Sequence, residues 1–521
     1  MKKFTFTIWL LVAIILQVSA QQTIDSQLQK LLIAESAIEN LYVDKIDNAE
    51  LVESAIRGML KELDPHSTYL TPDEVEKSNE SLQGNFDGIG IQFNMIEDTL
   101  FVVQPLPNGP SEKVGILAGD RIITVNDTTI AGVKMSQENI MKRLRGPKGT
   151  EVKIGVKRQG LDELVYFNVI RDKIPVNTVD AAYMAADGVG YIKVSSFGLT
   201  TLQEFREKMK ELQSAGAKSL ILDLQGNGGG YLHAAVELAN EFLERDQLIV
   251  YTEGRRSPRS GYKAVGNGMF KRGKLVILID EYSASASEIV SGAVQDWDRG
   301  TIVGRRSFGK GLVQRPIEFH DGSMIRLTIA QYFTPVGRCI QKPYGDNIDY
   351  GADIIKRLEG GELTNADSIH LPDSLKYRTK IKGRTVYGGG GIMPDVFVPL
   401  DTTRTNRYYR EVTAKGCVLQ TSLAYVEKHR KQLERKYKTY ESFNEKFIID
   451  DDILKLLQDK AQTANIDFDE KQWNEVLPIF KIQLKSLIAR NIWSMNEYYR
   501  GISELDDILQ CALQLIKENE L

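Results

Sequence analysis

Two residues of this chain stand in settings suited to covalent chemistry: Ser285, and Lys310 in the segment Phe308-Gly-Lys-Gly311. A serine hydroxyl is a weak nucleophile until a base takes its proton, and an uncharged lysine amine is one group that can do so. The apolar run at residues 274–280 reads as a strand and leads into Glu281-Tyr-Ser-Ala-Ser-Ala-Ser-Glu-Ile289, which places Ser285 at the start of a helix. Glycines on both sides set Lys310 in a loop. Other catalytic patterns are missing: there is no G-x-S-x-G elbow and no H-E-x-x-H, and His66, His233, His320, His370 and His429 do not cluster. A histidine triad or a zinc site therefore fits less well, and no metal or cofactor is expected.

Each residue also has a plainer reading. Ser285-Ala-Ser-Glu288 has the S-x-x-E form of a capping box, so the serine could serve only to cap its helix. Lys310 could be a surface residue in a glycine turn. The catalytic reading gains from context, because a helix amino end offers free N–H groups and a positive dipole to an oxyanion. The Ala286 N–H would be one donor. A second would come from the glycine loop Asn227-Gly-Gly-Gly230, with Gly230 the candidate. Lysine ordinarily titrates near pH ~10.4, so the base role requires burial that lowers this by several units. Gly309 and Gly311 would let the loop close tightly around the amine. Gln314 could hold the amine without adding charge, whereas an acid there would favour the ammonium form.

These residues need a scaffold, and 521 residues with 42% hydrophobic and 26% charged composition supply a globular chain of about three domains. Lys2 and Lys3, the apolar run 8–16 and the small residues before Gln21 read as a secretory signal, with an uncleaved anchor as the alternative. The expected location is exported: periplasmic in a Gram-negative host, otherwise cell envelope or secreted. Cys339, Cys417 and Cys511 are far apart, and their odd number leaves at least one thiol unpaired. A formal charge of −4 gives no reason to expect a nucleic-acid partner.

Residues 24–80 show helical periodicity, and from Gly84 short glycine-broken strands follow. Over about residues 84–173 the chain resembles a PDZ domain, most specifically in Gly115-Ile-Leu-Ala-Gly-Asp120 running into the strand 121–125. Such a fold takes a peptide's free carboxylate on backbone N–H groups of a glycine turn while the peptide adds a strand to a sheet edge. Gly88, Ile89, Gly90 and Ile91 fit that turn, although G-x-G before a strand can be an ordinary turn. Beyond Pro175, strands alternate with helices, and chemistry is expected at the strand ends. Residues 342–391, rich in glycine, read as a long surface excursion, and residues 402–521 as charged helices with a solvated basic face.

Taken with Gln295-Asp296, Phe308-Gly-Lys-Gly-Leu-Val-Gln314, Leu222-Asp-Leu-Gln-Gly-Asn-Gly-Gly-Gly230, Tyr332-Phe-Thr-Pro-Val-Gly-Arg338 and Gly391-Ile-Met-Pro-Asp395, the serine segment resembles the carboxy-terminal processing peptidases. The likeness spans roughly residues 30–400. It implies an α/β core of the Clp-protease/crotonase type, with mixed sheets and packed helices, an inserted PDZ domain and helical ends. Together with the readings above, this gives as segments a signal at 1–20, an N-terminal helical region at 21–83, the PDZ domain at 84–173, the catalytic core at 174–401 and a C-terminal helical region at 402–521. It also implies the roles: Ser285 as nucleophile, Lys310 as base, Gln314 as its positioner, and Gly230 with Ala286 as oxyanion hole. The substrates would be proteins or peptides with free carboxyl ends, and the helical termini are where copies of the chain could associate. Gln225 departs from the family, which usually has arginine there. Two rivals are a non-catalytic PDZ scaffold or ligand-binding relative, and a Ser-Lys esterase or amidase.

Overall fold

The computed structural model of the chain describes residues 26–519 except 97, 159, 346 and 347; residues 1–20, read above as a secretory signal, lie outside the described residues. Two units are distinguished, one taking the chain up to Thr71 together with Pro316–Leu327, the other Pro72–Arg315 and Thr328 onward. In the first unit, α1 (Ser26–Leu41) buries nothing. Helix α2 (Asn48–Lys61) is started by Asp47, whose carboxylate accepts from the Ala49 and Glu50 N–H groups. Strand β1 (Thr68–Leu70) pairs antiparallel with residues 324–326.

The second unit begins with α3 (Pro72–Gln83) and β2 (Asn85–Gly88). Then come β3 (Ile91–Ile96), β4 (Thr99–Pro105), α4 (Pro110–Val114), β5 (Arg121–Val125), β6 (Thr128–Thr129), α5 (Gln137–Leu144), β7 (Glu151–Lys157) and β8 (Val165–Ile170). These strands form an antiparallel sheet in the order β3-β4-β5-β7-β8, with β3 at one edge. Leu100 and Val102 point into its core with Ile122, Ile154 and Ile140. Strand β9 (Asp172–Pro175) pairs with β2, so the chain enters and leaves this domain side by side.

The core that follows contains β10 (Val179–Ala186), β11 (Val189–Val194), α6 (Thr201–Ser214), β12 (Ser219–Asp223), α7 (Leu232–Asn240), β13 (Leu248–Gly254), β14 (Ser257–Lys263), β15 (Leu275–Ile279) and α8 (Ala286–Asp296). It continues with β16 (Thr301–Gly304), β17 (Leu312–Glu318), β18 (Met324–Phe333), α9 (Asp353–Glu359), the hairpin β19 (Lys376–Arg378) and β20 (Thr385–Tyr387), and β21 (Val396–Phe397). One sheet runs β10-β11-β12-β15-β16-β21 and is parallel from β11 to β21. Its strands read as unbroken apolar runs because both faces are covered. Leu220, Leu222, Ile277 and Ile279 pack on one side with α6, α7 and α8. Ile221, Val276, Leu278 and Val303 pack on the other.

That second face is closed by the carboxyl-terminal tail. Its helices are α10 (Arg407–Ala414), α11 (Cys417–Lys436), α12 (Tyr440–Lys446), α13 (Asp451–Thr463), α14 (Glu470–Ile492), α15 (Met495–Ile502) and α16 (Asp507–Glu518). Helices α10–α14 share an aromatic-rich core including Tyr408, Phe443, Trp473 and Phe480. From α16, Ile508, Leu509, Ala512 and Ile516 lie on the core sheet. Helix α11 exposes Lys428, Lys431, Arg435 and Lys436 to solvent, as the charge pattern suggested. Its other side reaches the PDZ-like sheet: Leu423 packs on Phe101 and Val103, and Glu427 pairs with Arg121 at 3.1 Å. Phe101 and Val103 alternate with the core residues Leu100 and Val102, so the helix covers the sheet's outer face.

The segment 342–391 runs largely at the surface, as its glycines suggested, but it is pinned at a few buried points. Lys342, Arg357, Leu363 and Val386 are buried, and Arg357 binds the carbonyls of Arg306 and Ser307 at 2.6 and 3.2 Å. These anchors include ion pairs and close backbone contacts, which composition concealed. The three cysteines are free thiols. No helix among the described residues is long and apolar enough to cross a membrane.

Candidate active site

Ser285 follows β15 at the carboxyl end of the parallel sheet, where the tight turn into α8 gives it φ +56° and ψ −109°. Non-glycine residues rarely occupy positive φ, and such strain persists only where surrounding structure holds it. Here α8 supplies the hold, since every one of its residues is buried. Ser285 itself stays partly exposed, with Ala284 and Ala286 buried beside it.

The glycine loop comes from the end of the neighbouring strand, β12. Asn227 is fully buried; its amide donates to Val194 O (2.9 Å) and its side-chain oxygen accepts from the Gly229 N–H (2.8 Å). The Asn227 carbonyl accepts from the Ala284 N–H at 3.0 Å and the Ser287 hydroxyl at 2.8 Å, fastening the loop to the serine turn. Gly229 has φ +106°, and a Cβ there would lie 2.7 Å from Ser285 Cβ and 3.1 Å from Ala286 N. Only glycine fits this approach. Gly230 bridges Phe197 in parallel fashion: Phe197 N–H donates to Gly229 O (3.0 Å) and Tyr231 N–H to Phe197 O (2.8 Å). In that pattern the N–H of Gly230 itself faces away from Phe197.

Lys310 is half-buried in the loop leading to β17. Gly309 before it has φ +88°, and a Cβ would sit 3.1 Å from Gly390 C, Gly391 N and Lys342 Cβ, so the loop closes as tightly as its glycines suggested. Gln314 lies on β17 and its amide donates to Thr328 Oγ1 at 3.2 Å.

The serine turn and the lysine loop are joined by a residue that the sequence pattern marked only as half of a capping box. Glu288 is fully buried and its carboxylate accepts four hydrogen bonds. One oxygen takes the Ser285 N–H (2.7 Å) and the Lys310 N–H (2.9 Å); the other takes the Gly309 N–H (2.8 Å) and the Ser307 hydroxyl (2.6 Å). Burial raises its carboxyl to about 7, opposed by these bonds. All four partners donate, so the arrangement is complete only when Glu288 is ionised. The second link is Tyr332 on β18, buried, whose hydroxyl meets the carbonyls of both Ser285 (3.1 Å) and Lys310. Burial and the nearby Glu288 charge hold its phenol well above the usual range. Neither role was readable from local sequence, because both depend on contacts more than 20 residues apart.

At the far end of α8, Arg338 and Asp296 form an ion pair with both side chains at 0% exposure. Arg338 also donates to Gln295 Oε1 (3.1 Å) and Tyr387 O (3.0 Å), and Gln295 donates to Met393 O (2.8 Å) and Asp395 (3.0 Å). The scattered motif residues thus meet in one network that anchors α8.

In the PDZ-like domain, Ile89 is buried and its carbonyl accepts from the Ser111 N–H (3.0 Å) and hydroxyl (2.6 Å), while Gly90 O accepts from the Leu106 N–H (3.0 Å). These bonds fix Gly88–Ile91 at the head of edge strand β3. Ile91 and Phe93 on that strand pack against the domain's core, to which α5 contributes Ile140 and Leu144.

The sequence profile of Peptidase family S41 matches residues 188–350, the part that holds Ser285 and Lys310. The carboxy-terminal processing protease CtpB of Bacillus subtilis (strain 168) is 34% identical over 355 residues, 68% of this chain and 72% of that protein. The chain belongs to the carboxy-terminal processing protease family. Similar relatives include CtpA of the same bacterium, 34% identical over 63% of this chain and 70% of its own length. The carboxy-terminal-processing protease of Bartonella bacilliformis is 34% identical over 70% of this chain and 82% of its own. As a member of the family the chain is a serine-type peptidase with a PDZ domain, matched at residues 88–173. A profile for the activating protease CtpB N-terminal domain matches residues 13–74, and a family of unknown function matches 408–494. The last match falls on the tail helices α10–α14.

Proposed function

We propose that this protease cleaves proteins near a free carboxyl end, through an acyl-enzyme formed on Ser285. The Ser285 Oγ attacks the scissile carbonyl carbon while the uncharged Lys310 amine takes its proton. The N–H groups of Gly230 and Ala286 receive the oxyanion. The tetrahedral intermediate collapses, the leaving amine takes the proton back from Lys310, and Ser285 holds the acyl group as an ester. Water then attacks the ester, Lys310 takes its proton and returns it to Ser285, and the new carboxyl end departs. Gln314, anchored on Thr328, offers its amide oxygen to the lysine amine. The observation that carries this reading is the single buried carboxylate of Glu288 binding the backbone of Ser285 and Lys310 together. A scaffold has no use for that link, and an esterase has no use for a PDZ domain.

The substrate's terminal carboxylate would dock on Gly88, Ile89, Gly90 and Ile91, with the tail added beside β3 and its last side chain between Ile89, Ile91 and α5. The open edge of β3 supports this. Export rests on the composition of residues 1–20, and the mildly acidic chain gives no ground for a nucleic-acid partner. Self-association belongs to the same proposal: α1 leaves Leu28, Leu31, Leu32 and Ile33 exposed, a surface that a second copy would cover.

The decisive comparison uses one unstructured peptide as free acid and as carboxyl-terminal amide. The amide should lose at least about tenfold in kcat/KM, the scale of one charge-assisted recognition. Equal rates would remove the PDZ domain from substrate selection.

A further inference from the structure

Gln225, at the position where the family usually has arginine, begins the glycine loop. Its backbone N–H donates to Asp223 Oδ1 (2.8 Å), and its carbonyl accepts from the buried Lys193 amine (2.5 Å). Its side chain reaches across the sheet's end to the carboxyl-terminal tail, where the amide donates to Asp506 Oδ2 at 2.8 Å. Asp506 divides its two oxygens. Oδ1 caps α16 by accepting from the Ile508 and Leu509 N–H groups at 3.1 and 3.0 Å, which leaves Oδ2 to Gln225. The helix so capped is fixed to the sheet by Ile508, Leu509, Ala512 and Ile516. From Gln225 the loop runs only four residues to Gly229, which abuts Ser285 Cβ and Ala286 N. The next residue along, Gly226, donates to Asp280 at 2.9 Å, and Asp280 also accepts from the Tyr282 and Ser283 N–H groups of the serine turn (both 3.0 Å).

We propose that Asp506 is a positioning residue for peptide hydrolysis: from the carboxyl-terminal helix, through Gln225, it sets the root of the glycine loop that receives the oxyanion. The tail is then part of the working site as well as a cover for the sheet. At the loop's root Lys193 is paired with Asp223 at 3.1 Å, so a neutral glutamine can bridge to Asp506 without adding a second cation. Burial, with the Asp223 charge second, raises the Asp506 carboxyl, in keeping with its enclosure. The inference rests on the proposed oxyanion role of this loop.

Asp506→Ser retains a capping oxygen but is too short to reach Gln225, and Gln225→Met keeps bulk but not the donor. Each should lower kcat on an unstructured peptide about 5- to 10-fold with KM within about twofold, because loosened geometry weakens transition-state binding selectively. The double variant should be no slower than the slower single one, and Asp506→Asn, which keeps the cap on its one oxygen and turns its NH2 to a Gln225 amide that can flip to accept it, should restore kcat. Wild-type kcat in Asp506→Ser, additive losses in the double variant, or an Asp506→Asn enzyme as slow as Asp506→Ser would each overturn the proposal. Ser285→Ala in the same assay separates the two readings. Continued cleavage by it refutes the proposed site itself, whereas an inactive Ser285→Ala beside a fully active Asp506→Ser refutes only the role of Asp506.

Discussion

Replacing Glu288 by glutamine removes one charge and almost no volume, and the four bonds to its carboxylate determine the consequences. Each carboxylate oxygen accepts two donors. A glutamine keeps one acceptor oxygen and turns an NH2 towards the other pair. The better orientation keeps Ser285 and Lys310 bonded and turns the NH2 to Ser307 and Gly309. The Ser307 hydroxyl can rotate, but the Gly309 N–H is left without an acceptor, at a cost of about 1–3 kcal/mol. Against this, the folded carboxyl titrates at about 7 instead of 4.5. Holding the ion buried at neutral pH therefore costs about 3 kcal/mol. The two effects nearly offset, so stability at pH ~7.5 should change by less than about 2 kcal/mol. Activity should not be spared, because the bond lost adjoins Lys310: kcat should fall about 10- to 100-fold. The sign of the pH dependence is also set. A carboxyl whose folded value lies above its unfolded one gives stability that is fully present below 4.5 and lost as pH rises through about 7. In an inactive Ser285→Ala background, unfolding at pH ~5 and ~8 should show the protein with Glu288 intact losing about 3 kcal/mol more than the Glu288→Gln variant across that window. Wild-type kcat in Glu288→Gln, or the same pH trend in both proteins, would refute the reasoning.

Tyr332→Phe deletes the hydroxyl shared by the Ser285 and Lys310 carbonyls. Peptide kinetics should show kcat reduced about tenfold, with a stability loss near 1 kcal/mol. Gly229→Ala places a Cβ 2.7 Å from that of Ser285 at φ +106°. Labelling by a fluorophosphonate should fall to background while circular dichroism still reports a folded chain. Arg338→Met leaves Asp296 as a buried, uncompensated charge, and thermal or urea unfolding should register a loss of about 3–5 kcal/mol.

The turn that carries Ser285 and the loop that holds Lys310 were legible because each has a strong local signal, an apolar strand running into a capping box and a pair of flanking glycines. The strand-helix alternation likewise announced a core of helices packed on a sheet, and Gly115–Asp120 announced the PDZ domain. The links between these parts were not. Glu288 looks like an ordinary capping partner until the lysine loop folds onto it, and Tyr332 stands 47 residues from the carbonyl it meets. The tail was harder still. The apolar positions of α16 are spaced like those of any amphipathic helix, and nothing in them names Val276 and Leu278, more than 200 residues earlier, as their partners. Within residues 342–391 the anchoring points were hidden because they use ion pairs of Arg306 and Arg357 with Glu362 and close glycine contacts.

In the mechanism we propose, peptide hydrolysis by this chain depends on Lys310 activating Ser285. Intact-mass and tandem mass spectrometry after brief exposure to a fluorophosphonate test this most directly. The wild-type chain should carry one adduct, on Ser285, and Lys310→Ala should carry none over the same interval while remaining folded. An adduct on another residue, or equally fast labelling of Ser285 in Lys310→Ala, would contradict the mechanism.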